Sequence, residues 1–258
     1  MQQREKAISW LLHSLKIVLG DESIRRYIIL HYNPKLTNKS KQCIRTFDAF
    51  VPVGKTREHK AQQIVRYCNK MIKKNDTVVF TATNIQRDKY DSETHFQSYI
   101  VDNNSKKVLV VDPAFDNSKD GKGIYFAEVS NEVVIPFFQS MGYTTQFVCL
   151  SNPAQVSDDD IFCQSWSLYI LLQQLKNKKW IDPCVDIPFE QINKYAVLLN
   201  FYKQIFADMP ELCENLETEY EAEILETRGP NAPTKTQKQQ LLSFNPIELL
   251  FSMTADEM

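Results

Sequence analysis

The chain has 258 residues, of which 43% are hydrophobic and 24% charged, as expected for a globular protein with a buried core. Thirty basic and 32 acidic residues give a formal charge of −2. This balance excludes a protein that binds nucleic acid or anionic membranes through bulk charge. The sequence also lacks any apolar run of the roughly 20 residues that a membrane-spanning helix needs.

Cysteine and histidine usage narrows the possible chemistry. The six cysteines are far apart and form no CxxC pair, and the N-terminus lacks the pattern of a signal peptide. We therefore expect reduced thiols and an intracellular, reducing location. The four histidines form no HExxH or other zinc-ligand spacing, so we predict no metal site.

Residues 1–75 predict an N-terminal helical region that packs on the core. Apolar residues recur at helical spacing over 3–19 and again over 57–73, which predicts two amphipathic helices. Between them, the apolar run 27–30 predicts a short strand.

Residues 76–224 predict the core. β-branched runs on either side of the polar turn 102–105 predict an antiparallel hairpin, whose second strand is apolar enough to be buried on both faces. Residues 163–175 are apolar almost all round, which indicates a helix inside the core. The other predicted elements are a strand over 77–81, a helix over 129–141 that Pro136 kinks or restarts, a strand over 144–150 and a long helix over 188–223. This order predicts an α+β domain.

Residues 225–258 predict a flexible tail that ends in a docking segment. Residues 227–238 contain two prolines and no large apolar side chain, so they cannot bury enough surface to offset the entropy of ordering. Across 244–251, four large apolar residues fall at helical spacing, and Pro246 suits a first helical turn. We expect this short helix to bind the body of the chain or a partner protein; a frayed terminus is the alternative.

Cys163 is the most suggestive nucleophile in the sequence. Three consecutive aspartates, 158–160, precede the buried helix as N-cap candidates, and this places Cys163 in the first turn. There the positive end of the helix favours a thiolate, whereas the nearby carboxylates disfavour it. A plain core cysteine is the alternative.

His95 and Asp112 lie at the outer ends of the two hairpin strands, where strand pairing brings them close together. A carboxylate that fixes one imidazole nitrogen leaves the other free to accept a thiol proton, which is the division of roles in a nucleophilic triad. The alternative is structural, with His95 flanking a strand and Asp112 starting an Asp-Pro-Ala turn.

The order His95, Asp112, Gln155, Cys163, with aromatic Phe96 after the histidine, resembles that of the ubiquitin-like-protein (SUMO)-specific proteases and the adenovirus maturation protease. In that family a histidine before an aromatic residue starts one strand and an acid ends the next. A glutamine then lies a few residues before a cysteine that opens the central helix. The resemblance covers about residues 77–180, and the string Phe-Cys-Gln-Ser-Trp-Ser-Leu is similar to divergent members in large DNA viruses.

The resemblance implies a papain-like fold of the SUMO-protease and adenain type, with a central mixed sheet, a buried helix that carries the nucleophile, and flanking helices. It implies a thiol peptidase without a cofactor that cleaves a ubiquitin-like protein tail or a viral precursor polyprotein. Cys163 would attack the substrate, and His95, oriented by Asp112, would act as base and then as acid. Gln155 would help to bind the oxyanion. The location would be the host cytoplasm or a virion.

One departure from the family keeps a second function open. The family has Asp-Cys-Gly at the nucleophile, where this chain has Phe162, Cys163 and Gln164. The missing glycine and the acidic run favour a catalytically inactive protease-fold protein with a structural or scaffolding role in a large DNA virus particle. The order of the four site residues favours the enzyme. A third alternative is a helical adaptor that docks through residues 244–251. This function would need the tail but none of the four site residues.

Overall fold

The computed structural model describes residues 2–32, 48–52, 57–74, 76–87, 92–115, 134–148, 154–155, 161–176 and 193–254. The chain forms two compact units, which we call the helical unit (Met1–Val18 with Gln191–Met258) and the sheet unit (Leu19–Glu190). These units do not follow the predicted boundaries at 75 and 224, because the first helix packs with helices from the end of the chain.

The sheet unit contains a mixed sheet in which the described strands follow the order β1-β2-β3-β4-β5. The strands are β1 (Asp48–Pro52), β2 (Thr77–Arg87), β3 (Ser92–Asp102), β4 (Lys107–Val111) and β5 (Thr144–Phe147). β2, β3 and β4 are antiparallel neighbours, whereas β1 runs parallel to β2 and β5 runs parallel to β4. The predicted hairpin and the strands predicted from residues 77 and 144 are confirmed, and β1 was not predicted.

Helices cover both faces of this sheet. They are α2 (Glu22–Tyr32), α3 (Arg57–Ile72), α4 (Ile135–Ser140) and α5 (Cys163–Lys176). One face packs in an apolar cluster with α3 and α4; its buried members are Cys68, Ile72, Val78, Phe80, Tyr99, Val101, Val108, Val110, Val134, Phe138 and Tyr143. Because neighbouring strand residues point to opposite faces, Ser98 lies on the other side from Tyr99, where its hydroxyl contacts Ser167 of α5 at 2.7 Å. The described elements therefore form the predicted α+β architecture, with α5 buried as expected.

The strand predicted over 27–30 is wrong, because these residues lie within α2. Asp21 caps this helix, since its Oδ1 accepts hydrogen bonds from the backbone N–H groups of Ser23 and Ile24 at 2.7 and 3.0 Å. Ile28 and Ile29 then lie on one face and are fully buried. The helix predicted over 129–141 begins at Ile135, and residues 129–133 lie outside the described part.

The helical unit contains α6 (Lys194–Asp208), α7 (Pro210–Glu226), α8 (Lys235–Leu242) and α9 (Pro246–Ser252), together with most of α1 (Gln2–Gly20). The predicted helix over 3–19 is confirmed by α1. The single long helix predicted over 188–223 is interrupted at Met209, because Pro210 has no N–H to continue the ladder and instead starts α7. No helix in the described ranges combines the length and apolarity needed to cross a bilayer.

The C-terminal region is more helical than the sequence predicts. The segment 227–238 was predicted as a flexible tether, yet α8 begins inside it at Lys235. Thr234 and Gln237 form a capping box that supplies partners for the first turn. α9 is a helix, as the spacing over 244–251 predicts, and it packs against α6 and α7 of this same chain.

Candidate active site

Cys163 is the first residue of α5, where backbone N–H groups have no partner within the helix. Its side chain is 3% exposed. The first turn of the helix is closed by a hydrogen bond of 2.9 Å from the Trp166 N–H to the Phe162 carbonyl. The predicted N-cap aspartates, 158–160, lie outside the described residues.

His95 and Asp112 are brought together by the register of the β3–β4 hairpin. Ser98 is the partner of Val111, so Asp112, one residue further, lies beside Gln97. His95 precedes Gln97 by two residues and therefore shares its face of β3. The His95 Nε2 and Asp112 Oδ1 atoms are 2.9 Å apart, and both side chains are buried.

Cys163 lies close enough to His95 to raise the pKa of the imidazole. A hydrogen bond and the charge of Cys163 both act on the imidazole. Nε2 is held by Asp112, so a proton exchanged with the thiol would have to use Nδ1. The structure thus brings Cys163, His95 and Asp112 together, three of the four predicted site residues.

The electrostatics of this trio favour an ion pair. Burial by itself lowers the pKa of His95, but the charge and hydrogen bond of Asp112, together with the contact to Cys163, raise it to about 10. Burial raises the pKa of Asp112, but the charge of His95 and hydrogen bonds from His95, Gln97 and the Ala114 N–H hold it below its usual value. At neutral pH the imidazole is therefore protonated beside a carboxylate.

Gln155 lies next to the turn that follows Asp112. Its backbone N–H donates a hydrogen bond of 2.8 Å to the Pro113 carbonyl, and its side-chain oxygen is buried. This places the glutamine beside the acid, while its predicted role toward the oxyanion stays a prediction.

Gln164 occupies the position where the family has glycine. Its side chain is 7% exposed, and its amide nitrogen stands 3.5 Å from the point where a Cβ on Gly20 would lie. The side chain therefore packs inward against the last residue of α1.

Sequence reasoning missed Gln97, which completes the surroundings of Asp112. The Gln97 Nε2 donates to Asp112 Oδ2 at 2.5 Å, and the Tyr99 hydroxyl donates to Gln97 Oε1 at 3.0 Å. The Ala114 N–H donates to Asp112 Oδ1 at 2.9 Å. The sequence did offer one signal for Gln97: it is a polar residue in a buried strand, two positions after His95, the candidate base.

Other described thiols lack such surroundings. Burial raises the pKa of Cys68 to about 12. Burial and then the charges of nearby glutamates raise the pKa of the half-buried Cys213 to about 11. Among the described residues, no group of three or more His, Cys, Asp or Glu side chains is arranged to hold a metal ion.

Comparison with known proteins gives distant structural likenesses. No family profile and no curated protein sequence matches the chain. The effector protein RavZ of Legionella pneumophila aligns with 85% of this chain and 84% of its own, at 12% identity and a TM-score of 0.36. RavZ in complex with human LC3B aligns with 89% and 85%, at 11% identity and a TM-score of 0.33. The effector protein ChlaDUB of Chlamydia abortus aligns with 86% of each chain, at 15% identity and a TM-score of 0.34. Structural similarity at this level does not establish a function. The functional assignment is therefore based on the geometry of the site.

Proposed function

We propose that the chain is an intracellular thiol peptidase with a papain-like fold of the SUMO-protease and adenain type. The observation that supports this is the buried imidazole of His95, which pairs with Asp112 and whose pKa is raised in part by the nearby Cys163. A nucleophilic thiol requires a base within hydrogen-bond reach, and that base requires a group that fixes its orientation. A position at the start of a helix adds a favourable field for a thiolate.

In the proposed reaction, the Cys163 sulfur attacks the carbonyl carbon of the scissile amide and forms a tetrahedral intermediate. His95, as imidazolium, gives its proton to the leaving amine, and the C–N bond breaks to leave a thioester. Water then attacks the thioester while His95 accepts a proton. The carboxylate product leaves, and the cysteine–histidine pair is restored.

The remaining site residues act on charge and orientation. Asp112 holds Nε2 and stabilises the imidazolium, which would leave Nδ1 to exchange the proton with the thiol. Gln155 and the Cys163 N–H would donate to the oxyanion of the tetrahedral intermediate. The proposed substrate is the C-terminal tail of a ubiquitin-like protein, with a viral precursor polyprotein as the alternative that the sequence resemblance allows.

Adduct formation with electrophilic substrates tests this function. Ubiquitin, SUMO and LC3B, each carrying a thiol-reactive group at its C-terminal carbonyl, are incubated with the wild type, C163A, H95A and a matched C213S control. We expect an adduct in the wild type and in C213S that maps to Cys163, with loss of at least 100-fold in H95A, since general-base assistance contributes about 10²–10⁴-fold. Equal labelling of the wild type and H95A would contradict the peptidase.

The inward packing of Gln164 at the glycine position favours the second candidate, an inactive protease-fold scaffold. For that protein, neither the electrophilic panel nor matched peptide-fusion substrates would react at Cys163. Q164G distinguishes the two candidates. A large gain of labelling in Q164G over an inert wild type would indicate a site disabled by this one side chain.

A further inference from the structure

The side-chain amide of Gln97 has only one favourable orientation. Its two ends face a phenol hydroxyl and a carboxylate, namely Tyr99 and Asp112. A carboxylate only accepts hydrogen bonds, so the NH₂ group must face Asp112 and the oxygen must face Tyr99. Tyr99 is fully buried, and its ring stacks on Phe80 with 4.5 Å between centroids. The hydroxyl that orients Gln97 is thus fixed by core packing.

We propose that Gln97, locked by Tyr99, is a positioning residue that holds the Asp112 carboxylate in the rotamer that pairs with His95. This inference rests on the proposed peptidase function. Asp112 Oδ1 contacts the His95 ring and accepts a hydrogen bond from the Ala114 N–H. Asp112 Oδ2 accepts a hydrogen bond from the Gln97 side chain. With both oxygens bound, the carboxylate plane is fixed, and so is the imidazole that it holds.

The position of Gln97 on the sheet argues against a purely structural role. Further along the same face of β3, Tyr99 and Val101 belong to the apolar cluster. An apolar residue at position 97 would extend that cluster at no cost in desolvation, whereas a buried carboxamide needs partners at both ends. Gln97 is 1% exposed, and its partners include the carboxylate of Asp112 and the hydroxyl of Tyr99 that orients it.

Loss of the amide would weaken the ion pair. Without its Oδ2 donor the Asp112 carboxylate can turn away from His95, and because the charge and hydrogen bond of Asp112 are what raise the pKa of His95, that pKa falls. In a cysteine–histidine site, deprotonation of the imidazolium sets the alkaline limit of reaction with the leaving group. That limit is therefore the quantity that Gln97 controls.

The test uses the full chain with Q97M and Y99F, and S98A as a matched control on the same strand. Met has nearly the volume of Gln without a donor, and S98A removes a buried hydrogen bond that lies outside the Asp112 surroundings. Two readouts are taken: the NMR titration of the His95 ring without substrate, and the pH dependence of cleavage of ubiquitin, SUMO and LC3B whose C-terminus is joined to a fluorophore through an amide. Alkylation of Cys163 by iodoacetamide at pH 7 reports separately on the peptidase function. We expect Q97M to lower the His95 pKa and the alkaline limit of amide cleavage by at least one pH unit, since hydrogen bonds to charged groups are the stronger class. Y99F should give a smaller shift in the same direction, and S98A none.

The failures of the two proposals are distinguishable. If Cys163 of the wild type is alkylated no faster than Cys213 and independently of His95, the peptidase function fails, but the NMR titration still reports on Gln97. If the His95 titration is the same in the wild type, Q97M and Y99F, the positioning role is overturned. A shift of equal size in S98A would also overturn it, because the effect would then reflect strand stability. If Q97M does not fold, Y99F, which deletes a single oxygen, decides the question.

Discussion

At the scale of single residues, the His95–Asp112 pair dominates the energetics of the site. Both side chains are buried, so solvent and salt screen their charges weakly. Desolvation costs several kcal/mol for each ion, and only close contact with further hydrogen bonds offsets that cost. Asp112 has such bonds from Gln97 and Ala114. Removal of one partner of such a pair typically costs about 3–5 kcal/mol, because the other charge is then buried alone.

We expect the free energy of unfolding to fall as the pH rises from about 6.5 to about 10. The pKa of His95 is raised from its ordinary 6.5 to about 10, so the folded chain holds this proton more tightly than the unfolded chain. The stabilising contribution is complete below the unfolded pKa and is lost as the pH rises through the folded one. Urea unfolding at intervals between pH 6 and 10 measures it.

The D112N variant is the control for this pH dependence, since it keeps the shape of the side chain and removes the charge. Its stability should change much less over the same pH range. Parallel curves for the wild type and D112N would show that other groups cause the change. At acid pH the sign reverses, because the lowered pKa of Asp112 makes its contribution disappear as the pH falls through the folded value.

The residues of the site were predictable to different degrees. His95, Asp112 and Cys163 could be found because hairpin ends and a helix start are local patterns that place reactive groups. Gln97 could not, because its role depends on the register that sets Asp112 beside it. A one-residue shift of β4 would have placed Asp112 on the opposite face.

At the scale of elements, the spacing of hydrophobic residues predicted α1, α3 and α5. It failed for segments that are short or interrupted. A four-residue apolar run such as 27–30 fits a strand or a helix equally, and the cap at Asp21 decides for the helix. β1 was missed because it has five residues and ends in Pro52, which cannot donate to a ladder. Its pairing with β2 is a tertiary contact that local propensity does not encode.

We expect T234A to destabilise α8. The Thr234 hydroxyl accepts a hydrogen bond from the Gln237 N–H at 3.3 Å, and the Gln237 side chain bonds back to the Thr234 N–H at 2.8 Å. Loss of an N-cap of this kind costs about 0.5–2 kcal/mol. Hydrogen exchange across 235–242 should accelerate accordingly. T236A, which changes an exposed threonine inside the same helix, is the control and should leave exchange nearly unchanged. Equal acceleration in both variants would contradict the capping box.

At the scale of the whole molecule, the helical unit is built from segments at opposite ends of the sequence. Trp10 of α1 packs on Tyr220 of α7 with 4.8 Å between ring centroids, and its indole N–H donates to Glu223. The Tyr220 hydroxyl in turn donates to the Leu241 carbonyl at the end of α8, at 3.1 Å. This assembly could not be predicted from the sequence, because no local pattern indicates which distant helix α1 joins.

We expect W10A to lower the stability of the helical unit by about 2 kcal/mol. The aromatic pair contributes about 0.5–1.5 kcal/mol beyond its buried area, and the indole hydrogen bond adds about 1 kcal/mol. Hydrogen exchange across α7 measures the loss. I17A is the matched control, because Ile17 lies on the same helix and is 61% exposed. Unchanged protection of α7 in W10A would show that α1 does not support it.

The two-ended construction of the helical unit has a consequence for how the protein is made. Trp10 and Glu223 are 213 residues apart, so at roughly 5–20 residues per second a ribosome adds the second roughly 10–40 s after the first. For most of that interval Leu11 and Leu15, which the finished fold buries, precede every C-terminal helix of their unit. The β3–β4 hairpin needs only neighbouring residues and can form as soon as it emerges. Translation therefore completes the helical unit after the hairpin has formed, and α1 waits for its packing partners while the sheet unit is being made.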